Sequence, residues 1–338
     1  LPISRTSTNR GEQAVKGWPS NVATEFDGLS VLRLIGAGSI AMAFLARDTK
    51  PERLVALKVL KADFAADAEV LARFKNEALA AAHIVHPNVA AIYRVGERKD
   101  GLPYIAQEYI GGRSLADVLR SSEVRTVDDS TRTITSLAKA LAAAAAKGIV
   151  HGNVKPDNVL IEQDSGRVVL TNFGIVGQQE AKDAVGKLTR GREGFSDARY
   201  ASPEQLRGET ASGSSDIFSL GVLAYELLTG RIPYEGSAPL DIRSVRADVP
   251  EELAQLLRRC VDNNPDVRPA AEELMRHLAN DGRSEAPPKV LPKVPKASTR
   301  LTQRAVESSL MRVAVVAGLV IMATGAAVGF WLYMHYSQ

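Results

Sequence analysis

Hydrophobic positions along this chain recur first at every second residue, later at helical spacing, and near residue 313 they begin to run without interruption. Residues 1–26 precede any rhythm. They are polar, with Ser, Thr, Asn and Gly, and predict a flexible arm. Leu29 to Ile35 alternates, Gly36 to Ala41 is Gly-rich, and Met42 to Arg47 is a further, mostly apolar run, so the pattern predicts strand, turn, strand. Val55–Leu60, Ala90–Val95 and Pro103–Ile110 also read as strands. Between the first two lies an Ala- and Leu-rich helix around Arg73–Ala78, which His86-Pro87-Asn88-Val89 should end. Gly111-Gly112 then breaks the chain. Beyond it the spacing predicts a short helix over Ser114–Leu119 and a longer one over Ser130–Lys147, where the Ala142–Ala146 run gives strong helix propensity and Gly148 suits the C′ position. Val159–Ile161 and Val168–Thr171 are short apolar runs, and an apolar helix opens at Asp216 and runs to about Thr229, with Gly230 as its stop.

The last stretch differs from all of these. Across residues 281–312, Pro287, Pro288, Pro292 and Pro295 alternate with Lys289, Lys293 and Lys296, which predicts an extended, self-repelling linker. Residues 313–334 are uncharged and apolar over the ~20 residues that a membrane-spanning helix needs. The Lys and Arg excess lies before this run, so the positive-inside rule puts the preceding domain in the cytoplasm and residues 335–338 outside as a short tail. Trp331, Tyr333 and Tyr336 suit the far interface. Gly325 and Gly329 form a G-x-x-x-G, which fits either a homodimer packed through this span or small residues facing lipid.

Composition changes the picture little. The chain has 338 residues, 45% hydrophobic and 24% charged, and its net charge of +3 is too small to argue for nucleic acid. Cys260 stands alone and cannot form an internal disulfide, which suits a reducing compartment. Position 1 is not Met and no apolar run follows it, so no signal peptide is visible and the start reads as a fragment or a processed end.

Candidate chemistry comes from order and spacing. His151-Gly152-Asn153-Val154-Lys155-Pro156-Asp157-Asn158 resembles the catalytic loop H-R-D-x-K-P-x-N of protein kinases, with Gly at the Arg position and Asn153 at the catalytic Asp position. Asn172-Phe173-Gly174 stands where such a kinase has D-F-G. Gly36 and Gly38 match a glycine-rich phosphate hairpin, with Ala41 for the third Gly. Val55-Ala56-Leu57-Lys58 resembles V-A-I-K, and a Lys in an apolar strand calls for a charge partner, here Glu77. Ser202-Pro203-Glu204 matches A-P-E, and Asp216 and Arg268 match two further architectural positions. The stretch 27–280 is therefore identified as similar to the bacterial eukaryotic-type Ser/Thr protein kinases, with its two key carboxylates changed to amides.

The resemblance implies an α+β, bilobal protein-kinase-like fold with a β-rich N-lobe and an α-rich C-lobe, to which the apolar run adds one transmembrane helix. It implies ATP against Gly36, Gly38, Ala43, Ala56, Lys58, Glu77, Glu108, Ile110, Asn158 and Leu160, with Ala43 in place of the usual Val over adenine and Gln107 at the gatekeeper position. His151, Phe173, Glu204, Asp216 and Arg268 are its structural residues, with Asp216 bonded to the catalytic loop and Glu204 paired with Arg268. The metal positions become Asn158 and Asn172, two neutral amides, where magnesium is usually held by carboxylates and phosphate oxygens. An amide at 153 cannot usefully take the substrate proton, and losing a positioned base costs ~10²–10⁴-fold. Gly152 removes the Arg that would read a phosphate on the activation segment. Asp197 sits where a Thr bonds the catalytic Asp and Lys; it fits a salt bridge with Lys155 or a substitute carboxylate. Weak nucleotide binding with little magnesium dependence follows.

Two functions match these residues: a membrane-tethered pseudokinase acting as scaffold or regulator, and a Ser/Thr kinase of low or unusual activity. A structural anchor with an empty cleft is a third. Protein partners of the first would be a true kinase, a phosphopeptide-binding module or membrane machinery.

Overall fold

The computed structural model describes residues 25–280, apart from 39, 65–66, 99–100, 102, 122–124, 174–197 and 235–238. The expected arm ends two residues early, since Glu25 and Phe26 form a strand; the rest of it, the linker, the membrane span and the outer tail lie outside the described residues. Among the described residues no helix is long and apolar enough to cross a membrane.

The first half is an antiparallel sheet of β1 (Glu25–Phe26), β2 (Leu29–Ala37), β3 (Ala41–Thr49), β4 (Glu52–Leu60), β5 (Ile92–Glu97) and β6 (Pro103–Glu108), in the order β1-β2-β3-β4-β6-β5. Alternation along β4 sorts its side chains between the two faces. Val55, Leu57 and Val59 pack with Leu29, Phe44 and Tyr104 on one face, while Leu60 joins Phe74 and Ala78 of helix α1 (Ala68–Ala81) on the other. Lys58 belongs by parity to the second face, toward α1. Register shifts between Val31 and Arg33 and between Leu34 and Gly36 mark bulges, which bend and twist the end of β2 as it enters the glycine-rich turn.

Helix α1 starts where the Asp67 carboxylate accepts the N–H groups of Glu69 and Val70. It ends at Ala81, five residues short of the expected His86. The chain leaves the helix early and buries Ile84 and Val89 in the large C-lobe cluster.

After the break at Gly111, β7 (Gly112–Ser114), β8 (Val159–Glu162) and β9 (Val168–Leu170) form a second small sheet. Helices α2 (Leu115–Arg120), α3 (Val127–Ala145), α4 (Pro203–Leu206), α5 (Gly213–Thr229), α6 (Ile242–Val245), α7 (Glu251–Cys260) and α8 (Ala271–Asn280) complete the second half. Helices α3 and α5 lie at the centre of its core, with Ile134, Leu137, Leu220 and Leu223 all fully buried. Both start three residues before the expected positions: at α3 the Thr126 hydroxyl accepts the Asp129 N–H, and at α5 the Ser215 hydroxyl accepts the Ser212 N–H. Gly148 closes α3 as expected: at φ +67° it lets the N–H of Ile149 reach Ala144 and its own N–H reach Ala145. Gly221 has no such φ but no room for a side chain, since a Cβ there would lie 2.8 Å from both Cys260 and Val261. The two halves are stitched by a bridge between Val89 and Leu170 and by Asn88, whose Nδ2 donates to the Val168 carbonyl at 2.7 Å.

Candidate active site

The turn between α3 and β8 carries His151–Asn158, and its backbone is held before any side chain acts. The Asp216 carboxylate, from the first turn of α5, accepts the N–H of His151 and that of Gly152, each at 2.7 Å. Burial raises this carboxyl to about 7, although the two N–H donors act to lower it. Gly152 has φ +74°, a left-handed conformation that glycine adopts without strain. Its carbonyl accepts from Gln205 Nε2 at 2.8 Å.

His151 is fully buried. Its Nε2–H donates to the Thr171 carbonyl at 2.9 Å and its Nδ1 accepts the Asn153 N–H at 3.1 Å, so its partners fix one neutral tautomer. Burial lowers its pKa to about 4, aided by the charges of Lys58 and Lys155. The ring lies 4.6 Å from that of Phe173, itself in the C-lobe core. The loop is thus anchored to the strand end that leads to Asn172.

Behind it, Glu204 and Arg268 form the expected pair. Arg268 Nη1 meets Oε1 at 2.7 Å and Nη2 meets Oε2 at 3.0 Å, while Ser215 Oγ also donates to Oε1 at 2.7 Å. The pair is buried, and the guanidinium lies 4.9 Å from the centre of the Phe218 ring.

A cleft of about 760 Å³ opens between the first sheet and this loop. Gly36, Gly38, Ala43, Lys58, Ile110, Asn158, Leu160 and Asn172 line it, together with Asn153 and Lys155. Sequence reasoning did not single out Arg33, Tyr109, Asp117 or Asp157, which line it too. Apolar Ala43, Ile110 and Leu160 beside basic Lys58 and Lys155 suit a flat base linked to phosphates, and the volume is that of a ligand pocket. Ala56 and Glu108 are held in the sheet, opposite Gln107 and Val55 respectively. The Glu108 carboxylate pairs with Arg167. Glu77 lies on α1, but its side chain, like all of Asp197 and Gly174, is outside what the structure describes.

The amides are where the structure adds most. Lys58 Nζ donates to Asn172 Oδ1. Asn172 Nδ2 donates to Asn158 Oδ1 at 2.6 Å, and Asn158 Nδ2 donates to the Asn153 carbonyl at 2.7 Å. Asn172 itself sits at φ +68°, a conformation asparagine tolerates better than most residues. The donor set for magnesium at 158 and 172 is two neutral oxygens that already accept N–H donors, so these side chains do not fit the ion as a carboxylate pair would. Among the described residues no group of three or more His, Cys, Asp or Glu could hold a metal.

Two side chains outside the cleft lining escaped sequence reasoning as well. Gln205 was legible in part, because Ser202 and Gln205 make a capping box at the start of α4. Its reach to Gly152 had no signal. Arg167, which joins Glu108, Glu162 and the Pro87 carbonyl, had none either.

Comparison with known proteins agrees with this geometry. The family model "Protein kinase domain" matches residues 29–278. The chain is 36% identical over 222 residues to the serine/threonine-protein kinase PrkC of Bacillus subtilis, covering 65% of this chain and 33% of that protein. It is 35% identical over 276 residues to the serine/threonine-protein kinase PknB of Mycolicibacterium smegmatis, covering 76% of this chain and 44% of that protein. The chain thus spans less than half the length of these relatives. The crystal structure of the Mycobacterium tuberculosis PknI kinase domain superposes with a TM-score of 0.61 at 27% identity, over 77% of this chain and 98% of that domain. Protein kinases as a family use ATP and magnesium. With its motifs in order and its two lobes in place, this chain belongs to the bacterial eukaryotic-type Ser/Thr protein kinase family.

Proposed function

We propose that this protein is a Ser/Thr protein kinase of strongly reduced activity, which binds ATP in the cleft and passes its γ-phosphate slowly to protein Ser or Thr. The observation that carries the reading is a cleft with Lys58, Lys155 and Asn158 in place and amides at 153 and 172. Lys58 and the N–H groups of the glycine-rich turn bind and orient the phosphates. Lys155, 8% exposed, faces the same cleft and offsets charge near the transferred group. Asn153 can accept a hydrogen bond from a substrate hydroxyl but cannot take its proton. The missing base costs ~10²–10⁴-fold in rate. The names of the relatives support retained transfer.

The second reading is a pseudokinase, a scaffold or regulator that binds a true kinase, a phosphopeptide-binding module or membrane machinery. The amide at the base position favours it. In either case the uncharged run 313–334 supports a single membrane span with the kinase-family domain (27–280) on the cytoplasmic side.

The test is radiolabelled phosphoryl transfer by the full chain in detergent, with ATP, magnesium or manganese and a generic protein substrate. Signal above a Lys58→Met control, rising ~10²-fold or more in Asn153→Asp, is the expected outcome. Signal equal to the control hands the protein to the second reading.

A further inference from the structure

The three hydrogen bonds across the cleft run in one direction. Lys58 donates to Asn172, Asn172 to Asn158, and Asn158 to the backbone of Asn153. Each amide therefore presents its oxygen toward a donor and its nitrogen toward the next acceptor. Were residue 172 a carboxylate, an oxygen would face Asn158 Oδ1 across this 2.6 Å gap, with no proton between them. Two oxygens so placed repel unless a cation or a proton lies between them. The Asn172 N–H supplies that positive partner from within the chain.

Charge gives a second, independent argument. By the family pattern, residues 153 and 172 would carry two negative charges, and here they carry none. These two positions are together more positive by two, which is the charge one magnesium ion brings. Lys58 and Lys155 stand in the cleft with these negative neighbours removed. A triphosphate entering it meets cationic and N–H donors where the family pattern would require a metal to mask two carboxylates.

We infer that the cleft takes adenine nucleotide as the metal-free polyanion, with the Asn172 amide N–H in the place of a bridging cation. The inference rests on the nucleotide-binding reading given above. It assigns Asn172 a role in choosing the charge state of the ligand, and it makes magnesium a competitor, since magnesium draws free ATP into its own complex.

Titration calorimetry on the full chain in detergent tests this, with ATP in EDTA and ATP in excess magnesium chloride. The expected result is binding in EDTA that excess magnesium weakens by about threefold or more. Asn172→Asp should reverse the order, with magnesium tightening ATP by about tenfold or more and EDTA weakening it. A wild-type protein whose ATP affinity excess magnesium leaves unchanged or tightens overturns the inference and leaves the nucleotide-binding reading standing. No heat or thermal shift in either buffer overturns both. Where Asn172→Asp fails to fold, as its melting curve without ligand would reveal, the wild-type pair of titrations decides alone.

Discussion

The floor of the C-lobe and the cleft above it follow opposite rules. In the floor, charged groups are kept and fully partnered: Glu204 with Arg268 and Ser215, Asp216 with two backbone N–H groups. In the cleft, the positions that carry carboxylates by the family pattern carry Asn153 and Asn172. The difference lies in what each group must hold. A carboxylate whose partners are fixed protein donors stabilises the fold at all times. A carboxylate whose partner is a metal or a passing proton is unpaired whenever that partner is absent, and an unpaired charge in a half-enclosed site is costly. An amide brings its own donor and acceptor and needs neither. The floor therefore preserves the shape of a kinase, while the amides of the cleft hydrogen-bond to each other and to Lys58.

The largest effect that would test this contrast is in the floor. Arg268→Ala should destabilise the fold by ~3–5 kcal/mol, because it leaves Glu204 buried without its charge partner. Urea unfolding measures it. The pH dependence sharpens the same experiment. Burial would raise the Glu204 pKa, but hydrogen bonds from Arg268 and Ser215 outweigh it and hold the carboxyl at about 2, against an ordinary 4.5. The folded state thus binds the proton more weakly than the unfolded chain. Stability from this group is complete above about pH 4.5 and is lost as pH falls toward 2. In Arg268→Ala that acid limb should flatten. A variant as stable as wild type, with the limb intact, would mean that the floor does not depend on its ion pair.

Asp216→Asn should come next, at about 1–3 kcal/mol. One end of the new amide can still accept an N–H from His151 or Gly152, but the other end is a donor facing a donor. Amide hydrogen exchange at His151 and Gly152 should speed up with the loss in stability. Slow exchange unchanged from wild type would show that the loop is held by Gln205 and His151 alone.

How much of this was legible in the sequence depends on how far apart the partners stand. Lys58 on a strand, Asn158 after a tight loop and Gly148 at a helix end are each set by neighbours within a few residues. The pair of Glu204 and Arg268 was legible through the spacing of separate motifs, 64 residues apart. The start of α3 carried a signal, Thr126 capping the Asp129 N–H, whereas at α5 Ser212 makes no side-chain cap and only the Ser215 hydroxyl reaches back to it. The early end of α1 was not legible, because burial of Ile84 by residues far along the chain decides it. Nor was the direction of the amide chain, since Lys58 and Asn172 meet across 114 residues and only the folded cleft sets which amide end faces which. Sequence named the changed residues; their mutual satisfaction is a property of the packing.

The smallest effect lies at the junction of floor and cleft. Gly152 has its N–H on Asp216, its carbonyl on Gln205 and a φ of +74°, so its backbone is fixed on both sides. An alanine there must enter the left-handed region, at about 1–2 kcal/mol. Gly152→Asn should cost less than Gly152→Ala, because asparagine visits that region more readily. The order of the two variants in urea unfolding is the measurement. Alanine below asparagine in stability would locate the cost in the backbone, whereas equal losses would point to side-chain crowding at the loop. If the order holds, the step from floor to cleft turns on one backbone angle, and Gly152 relaxes it from the floor's side without touching the amides of the cleft.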